Sequence, residues 1–258
     1  MDLAPSLSVA SQLEPPRAVG RRRWGPWATL GWAVPIMLVM VVFQTLGALA
    51  YLRLARFLHP GQTIALTSLG SNGAVLAFSL AVSAPAVLGI MALAVRLSRV
   101  PLREYLALKW PRVRDVAIGV GSLAAVLLGT GLLASLTGQE TPAFIADTFD
   151  SARAAGMLTL LVVTFVFLGP LQEELLFRGF LFRGFSLSFG TWPTIVLTAA
   201  AWAIIHVQYQ WFFIGEIFAL GLLFGWLRAR SGSLLLTFGL HAAVNAMAVT
   251  SAALMPGA

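Results

Sequence analysis

The chain has 258 residues, of which 59% are hydrophobic and 10% are charged. A soluble domain carries about 25% charged residues, so the composition excludes an ordinary soluble protein and predicts an all-α, polytopic membrane protein. The net charge of +7 is scattered between apolar segments, which argues against nucleic acid as a partner, and the absence of cysteine excludes disulfides and a cysteine nucleophile.

Residues 1–23 are polar, include three prolines and are expected to form a disordered basic tail. Apolar segments follow, and each is long enough to predict a helix that enters the membrane. We place seven spans at about 26–52, 72–97, 113–137, 157–181, 191–208, 213–229 and 233–254. The expected organisation is this tail, then N-terminal helices with an outer amphipathic loop at 24–155, and a helical core at 156–258 that would be catalytic.

Basic residues favour every second loop of this arrangement. They precede the first span, lie between the second and third, and follow the fourth and sixth: Arg17, Arg21, Arg22, Arg23, Arg96, Arg99, Arg103, Lys109, Arg112, Arg114, Arg183, Arg228 and Arg230. We expect the protein to lie in the cell (inner) membrane. The positive-inside rule then predicts that its N-terminus is in the cytoplasm and its C-terminus is on the outer side. The loop 138–155 fits the outer side, where its Phe144, Ile145 and Phe149 can lie along the interface.

Two adjacent glutamates, Glu173 and Glu174, occur in the fourth span, and Arg178 follows four residues after Glu174. A charge at the bilayer centre costs about 2.5–3.5 kcal/mol, so ionisable residues there predict a functional site. Glu174 and Arg178 share a helix face and can neutralise each other, whereas Glu173 points about 100° away. A pair that only ties two helices together would not need the second carboxylate.

Two of the three histidines fall inside predicted spans. His206 lies four residues after Trp202, and His241 lies four residues before Asn245, so each pair shares one helix face. A single membrane histidine is often only a packed, hydrogen-bonded residue. Together with a free carboxylate, however, these side chains predict a polar cavity on which they converge with Glu173.

The three polar patterns occur in order on successive helical regions. They are Glu-Glu-x-x-x-Arg at 173–178, aromatic-x-x-x-His at 202–206 and His-x-x-x-Asn at 241–245. This ordered set resembles the CAAX protease and bacteriocin-processing family of intramembrane glutamic endopeptidases. The resemblance covers about residues 156–250 and implies a bundle of membrane helices that hydrolyses peptide bonds.

The resemblance implies a role for each matching residue. Glu173 would be the base that activates a water molecule, and His206 would help to hold that water. His241 and Asn245 would polarise the scissile carbonyl as an oxyanion hole. Peptide hydrolysis needs an activated water, a proton donor and oxyanion donors, so the chemistry agrees with this assignment. No cofactor is implied, and the partners would be the lipid bilayer and a peptide or protein substrate that can carry a lipid.

The supporting residues are less clearly assigned. Glu174 and Arg178 would be a structural or orienting pair, with a second catalytic acid as the alternative role of Glu174. Trp202 stands where the family usually has Phe, and either residue supplies an aromatic wall. The segment 170–179, PLQEELLFRG, is similar to the first family motif, and 225–233, GWLRARSGS, is similar to the turn before the last one.

Three other functions remain open from the sequence. One is a catalytically silent bacteriocin-immunity or scaffold protein that keeps the fold. A zinc-dependent protease is another, because two histidines and a glutamate can bind zinc, although no His-Glu-x-x-His motif is present. The third is a proton-coupled transporter, which we disfavour because neither repeated halves nor paired broken helices are evident.

Depth and position complete the expectations. Helical rise places Glu173 and His241 each about 12 Å from the cytoplasmic ends of their spans, which predicts a site open to the cytoplasm. Glu216 lies near the outer start of the sixth span, and we interpret it as an interfacial glutamate rather than a cavity-lining acid.

Overall fold

The computed structural model describes residues 24–61, 64–140 and 142–254, so the tail predicted at 1–23 lies outside the described residues. Every regular element of this part of the chain is helical, which confirms the all-α fold. The helices are α1 (Pro26–Leu58), α2 (Gly73–Leu97), α3 (Leu102–Tyr105), α4 (Val113–Leu136), α5 (Ala143–Ala154), α6 (Leu158–Phe189), α7 (Thr191–Ile204), α8 (Trp211–Ser231) and α9 (Leu234–Leu254).

Six of the described helices, α1, α2, α4, α6, α8 and α9, are long and apolar enough to cross a membrane. The segment predicted at 191–208 differs, because α7 ends at Ile204 after 14 residues. Its rise of about 21 Å falls short of a hydrocarbon core of about 30 Å. The chain is an integral membrane protein, and its described residues contain six helices that can span the membrane, close to the predicted seven.

Lipid-facing and buried surfaces are distributed unequally among these helices. Val34 and Leu38 on α1 and Leu128 on α4 are largely exposed, as expected of apolar side chains that contact lipid tails. In contrast, every side chain from Leu175 to Phe182 of α6 is buried. The helix that carries the two adjacent glutamates is therefore the centre of the bundle.

Small residues allow the closest helix crossings near this centre. A Cβ atom on Gly221 of α8 would lie 2.9 Å from the Cβ atom of Ala199 on α7. A Cβ atom on Gly47 of α1 would lie 2.8 Å from the Cα atom of Ser79 on α2. In a membrane, such small residues let helix backbones approach and gain van der Waals contact. The first crossing fixes α7 against α8 at the level of the predicted site.

The spanning helices run in alternating directions, so the bundle has two distinct ends. The arginine-rich end contains the 98–112 connection and the 232–233 turn, which are joined because the Leu234 backbone N–H donates to the Ala107 carbonyl at 3.0 Å. The opposite end contains α5, the connection 205–210 and the last turn of α9, and we call it the α5 end.

Candidate active site

A cavity of about 590 Å³ lies inside the bundle, and the four predicted catalytic side chains all line it. Glu173 comes from α6, His206 follows the end of α7, and His241 and Asn245 come from α9. Trp202 of α7 completes the wall between them. The patterns found separately in the sequence are therefore neighbours in the fold.

Glu173 is the carboxylate that faces the cavity, with 28% of its side chain exposed. Its Oε2 atom accepts a hydrogen bond of 2.6 Å from the indole Nε1 of Trp202. The Nε2 atom of His241 lies 3.9 Å from the same oxygen. This gap is too long for a direct hydrogen bond, and a single water molecule can bridge it.

Glu174 has the opposite environment, because its side chain is fully buried. Its Oε1 atom accepts a hydrogen bond of 2.9 Å from Nη1 of Arg178, the partner expected from the four-residue spacing. The same oxygen lies 3.2 Å from Nδ1 of His241. Since a buried charge needs a partner, this arrangement explains how both members of the pair are tolerated inside the bundle.

Arg178 joins three helices behind the cavity. Its Nη2 atom donates to the Gly221 carbonyl of α8 at 3.4 Å. Its guanidinium lies 4.4 Å from the centre of the Trp202 ring and 5.5 Å from that of Phe224, which places the cation against two aromatic faces. The Arg178 carbonyl accepts a hydrogen bond of 3.0 Å from Nε of Arg228. Arg178 therefore supports the wall that Trp202 presents to Glu173.

His206 is held by the helix that precedes it. Its Nδ1 atom lies 2.8 Å from the Trp202 carbonyl oxygen. A carbonyl oxygen can only accept, so Nδ1 carries the proton and, in the neutral ring, Nε2 is left as an acceptor. The ring of His206 also meets the edge of the Trp202 ring, with 5.3 Å between centres.

Tyr209 is a site residue that the sequence analysis missed. It lines the cavity and stacks on His206 with ring centres 6.3 Å apart. Burial, and then the charge of Glu173, raise the pKa of the Tyr209 phenol, so the hydroxyl remains a neutral donor. Its position three residues after His206 was the one available signal, and it is a weak one because 205–210 is irregular.

Asn245 is oriented by an irregular stretch of α6. Its Nδ2 atom donates to the Phe165 carbonyl at 2.8 Å. Phe165 lies in the wide π-type turn Thr164–Leu168, and Pro170 follows with no N–H to donate back into that turn. The side chain of Asn245 thus occupies an acceptor that the helix leaves open.

The cavity extends toward the α5 end of the bundle. Its lining includes Phe144 and Ile145 of α5, Gln208 of the 205–210 connection and Ser251 in the last turns of α9. This differs from the expectation of a site that opens on the arginine-rich, cytoplasmic side. The expectation counted depth along single helices, whereas the short α7 leaves the space beyond Ile204 open at the other end.

Metal ligation was the alternative considered for the histidines. Within 24–61, 64–140 and 142–254, no group of three or more His, Asp or Glu side chains is placed to hold a metal ion. The polar contacts of Glu173 and His206 instead go to the indole N–H and to the carbonyl of Trp202.

Comparison with known proteins identifies this region. Residues 155–247 match the sequence model of the family described as type II CAAX prenyl endopeptidase Rce1-like. The matched segment contains all three motifs and agrees with the resemblance seen in the sequence. No solved structure gives a significant match.

A curated relative is also similar to this chain. An Escherichia coli protein described as an uncharacterized 24.3 kDa protein is 31% identical over 135 residues. The match covers 50% of this chain and 62% of that relative. The similarity therefore extends over part of each protein.

Proposed function

We propose that this protein is an intramembrane glutamic endopeptidase, because residues 155–247 match the sequence model of the Rce1-like family of type II CAAX prenyl endopeptidases. It would hydrolyse a peptide bond of a membrane-associated substrate with a water molecule activated by Glu173. The catalytic set would be Glu173, His206, His241 and Asn245, with no metal or other cofactor.

The observation that carries this proposal is the difference in environment between the two adjacent glutamates. Glu173 faces a cavity large enough for a peptide segment, whereas Glu174 is fully buried against Arg178. A general base must reach the water and the substrate, and of these two adjacent glutamates Glu173 is the one with that access. Glu174 is then the orienting residue, because its carboxylate accepts from Nδ1 of His241 and directs Nε2 of that ring toward Glu173.

The proposed reaction begins with a water molecule between Glu173 and His241. Glu173 takes one proton from this water while the oxygen attacks the scissile carbonyl carbon, which gives a tetrahedral intermediate. The proton on Glu173 then passes to the leaving amine as the C–N bond breaks. The atoms balance, because one water molecule is consumed and its hydrogens are divided between the new carboxyl and amine groups.

The developing oxyanion requires hydrogen-bond donors in a site from which bulk water is excluded. Asn245 has a second Nδ2 hydrogen beyond the one given to Phe165, and this hydrogen is available to an oxyanion. His241 already directs Nδ1 to Glu174, so it donates from Nε2 when it carries a second proton. Loss of one such donor typically lowers the rate by about 10²–10³.

The cavity wall also supports a peptide substrate with an apolar or lipid-bearing portion. Leu76 and Leu80 of α2, Leu127 of α4, and Phe213 and Ile217 of α8 all line it. Apolar walls with a few fixed polar groups are typical of sites that bind an extended organic ligand. A lipid-modified peptide is one member of this substrate class.

The decisive experiment is the substitution Glu173→Gln in the purified chain, assayed in detergent micelles with a library of quenched fluorescent peptides. We expect the turnover to fall by at least about 10²-fold, because the amide cannot accept a proton. Glu140→Gln is the matched control, since this exposed glutamate lies outside the cavity. Full activity of Glu173→Gln would refute the assignment of the base, and a folded but inactive wild type would favour a silent immunity or scaffold protein.

The orientation follows from the two ends of the bundle. The positive-inside rule favours the arginine-rich end in the cytoplasm, so we propose that the cavity opens on the outer side of the membrane. The chain has no cysteine, so a cysteine introduced by a single substitution supplies the one thiol of the chain that a maleimide can label. Asp147→Cys should react with an impermeant maleimide on intact cells. Lys109→Cys should react only after the cells are permeabilised. The reverse pattern would contradict this orientation.

A further inference from the structure

A second carboxylate lines the same cavity. Glu216 of α8, which the sequence predicts to be an interfacial glutamate, is part of the cavity wall. Its Oε1 atom accepts a hydrogen bond of 2.7 Å from Oγ1 of Thr130 on α4. The hydroxyl fixes the carboxylate from outside the cavity and occupies one of its several acceptor positions.

The position of Glu216 relative to the predicted catalytic residues follows from the helix. On α8, Phe213, Glu216, Ile217, Leu220 and Phe224 all line the cavity, and their spacing of three and four residues makes one stripe. The ring of Phe224 lies 5.7 Å from that of His241, at the catalytic level. Eight residues separate Phe224 from Glu216, so Glu216 lies about 12 Å nearer the α5 end.

The described side chains that line this cavity include carboxylates without matching lysines or arginines. Among the described residues that line it, Glu173 and Glu216 are acidic and none is Lys or Arg. Arg178 lies behind Trp202 and is already paired with Glu174. A carboxylate within the membrane is costly unless a cation or water meets it, and a cation from outside the protein would supply the missing counter-charge.

We propose that Glu216 is a specificity subsite that binds a cationic group of the substrate, a lysine or arginine side chain or a free amino terminus. The proposal rests on the proposed peptidase function. An extended peptide advances about 3.3 Å per residue, so a distance of about 12 Å corresponds to three or four residues. With the reach of a long side chain included, the cation belongs to a residue two to four positions from the scissile bond.

The test uses quenched peptides that carry one lysine at successive positions, each with a matched glutamine analogue, in neutral detergent micelles. The wild type should show a KM about tenfold lower for the lysine peptide at the preferred position, because a hydrogen bond to a charged group contributes about 1.5–3 kcal/mol. Glu216→Gln should abolish this preference while cleavage of the glutamine peptide continues. Glu216→Lys should shift the preference to peptides with glutamate at that position.

Thr130→Val is the matched control, because it keeps the carboxylate and removes only the hydroxyl that fixes it. It should retain most of the lysine preference. If Glu216→Gln lowers the stability but leaves the lysine-to-glutamine ratio unchanged, Glu216 only ties α8 to α4 and the proposal is wrong.

A binding measurement separates this proposal from the peptidase itself. The Glu173→Gln chain should bind the lysine peptide about tenfold more tightly than the glutamine peptide, as followed by fluorescence anisotropy of a labelled peptide. Addition of Glu216→Gln should remove the difference. Selective binding without cleavage in the wild type would refute the peptidase function but keep the subsite, whereas cleavage with equal binding of both peptides would refute only the subsite.

Discussion

Replacement of Arg178 by methionine tests whether the buried ion pair holds the site together. Methionine keeps an apolar stem that can pack against Trp202, but it removes the charge that meets Glu174. It also removes the hydrogen bond to the Gly221 carbonyl. Glu174 is then left as a fully buried carboxylate whose neighbours, among them His241 and Thr237, carry no permanent positive charge.

The magnitude follows from the burial of both partners, which have no exposed side-chain surface and are 2.9 Å apart. Removal of one partner from such a pair costs about 3–5 kcal/mol of unfolding free energy, because the other charge is stranded. The control Arg230→Met removes a partly exposed cation that lies 3.6 Å from Asp115, and it should cost less than Arg178→Met because neither side chain of this pair is fully buried.

The double variant Glu174→Gln/Arg178→Met removes both charges and leaves an amide oxygen to accept from His241. Unfolding free energies should be measured by titration with sodium dodecyl sulfate in mixed micelles for the wild type, both single variants and the double variant. We expect the double variant to lose at least about 2 kcal/mol less than the sum of the two single losses. Additive losses would refute the ion-pair argument. Abolished cleavage in a well-folded double variant would make Glu174 a second catalytic acid rather than an orienting residue.

Three further predictions concern the wall, the α5 contact and the metal question. Trp202→Phe keeps an aromatic ring beside Arg178 but loses the indole N–H that donates to Glu173. In peptide kinetics, kcat should therefore fall about tenfold while KM stays unchanged. An unchanged kcat would show that this hydrogen bond does not position the base. Gly73→Ala places a Cβ atom against the Thr148 carbonyl of α5 and should lower the unfolding free energy by about 1–3 kcal/mol in the same micelle titration. The control Gly89→Ala, on the same helix with nothing within 4 Å, should change it by less than about 1 kcal/mol. Equal effects of the two substitutions would contradict the close contact. Cleavage should survive 1,10-phenanthroline, and loss of activity that zinc restores would establish the zinc-dependent alternative.

The sequence predicted that the polar side chains of the site meet in one cavity, but it did not predict the shape of that cavity. The four-residue spacings of Glu174 with Arg178 and of His241 with Asn245 set shared helix faces, which is local information that survives in the fold. The bond from Trp202 to Glu173 was not predictable, because it depends on how α7 packs against α6. The sequence interpretation of Trp202 recognised an aromatic wall but not a hydrogen-bond donor.

The structure departs from the predicted spans where a helix does not follow its hydropathy. The apolar run at 191–208 predicted a full span, yet α7 ends at Ile204. Hydropathy measures whether a segment tolerates lipid, and it does not fix where a helix ends. The extension of the cavity toward the α5 end and the position of Glu216 on its wall depend on how helices pack together, which hydropathy of single segments does not give.

The early end of α7 has a consequence for the supply of the second reactant. Residues 205–210 lie between two helices, and irregular backbone within a membrane is tolerated only where it meets protein or solvent. Gln208 of this connection lines the same cavity as Glu173, so in the proposed orientation water can reach Glu173 from this end. Under the proposed function, each cleaved bond consumes one water molecule, and the early end of α7 would let that water enter from the α5 end.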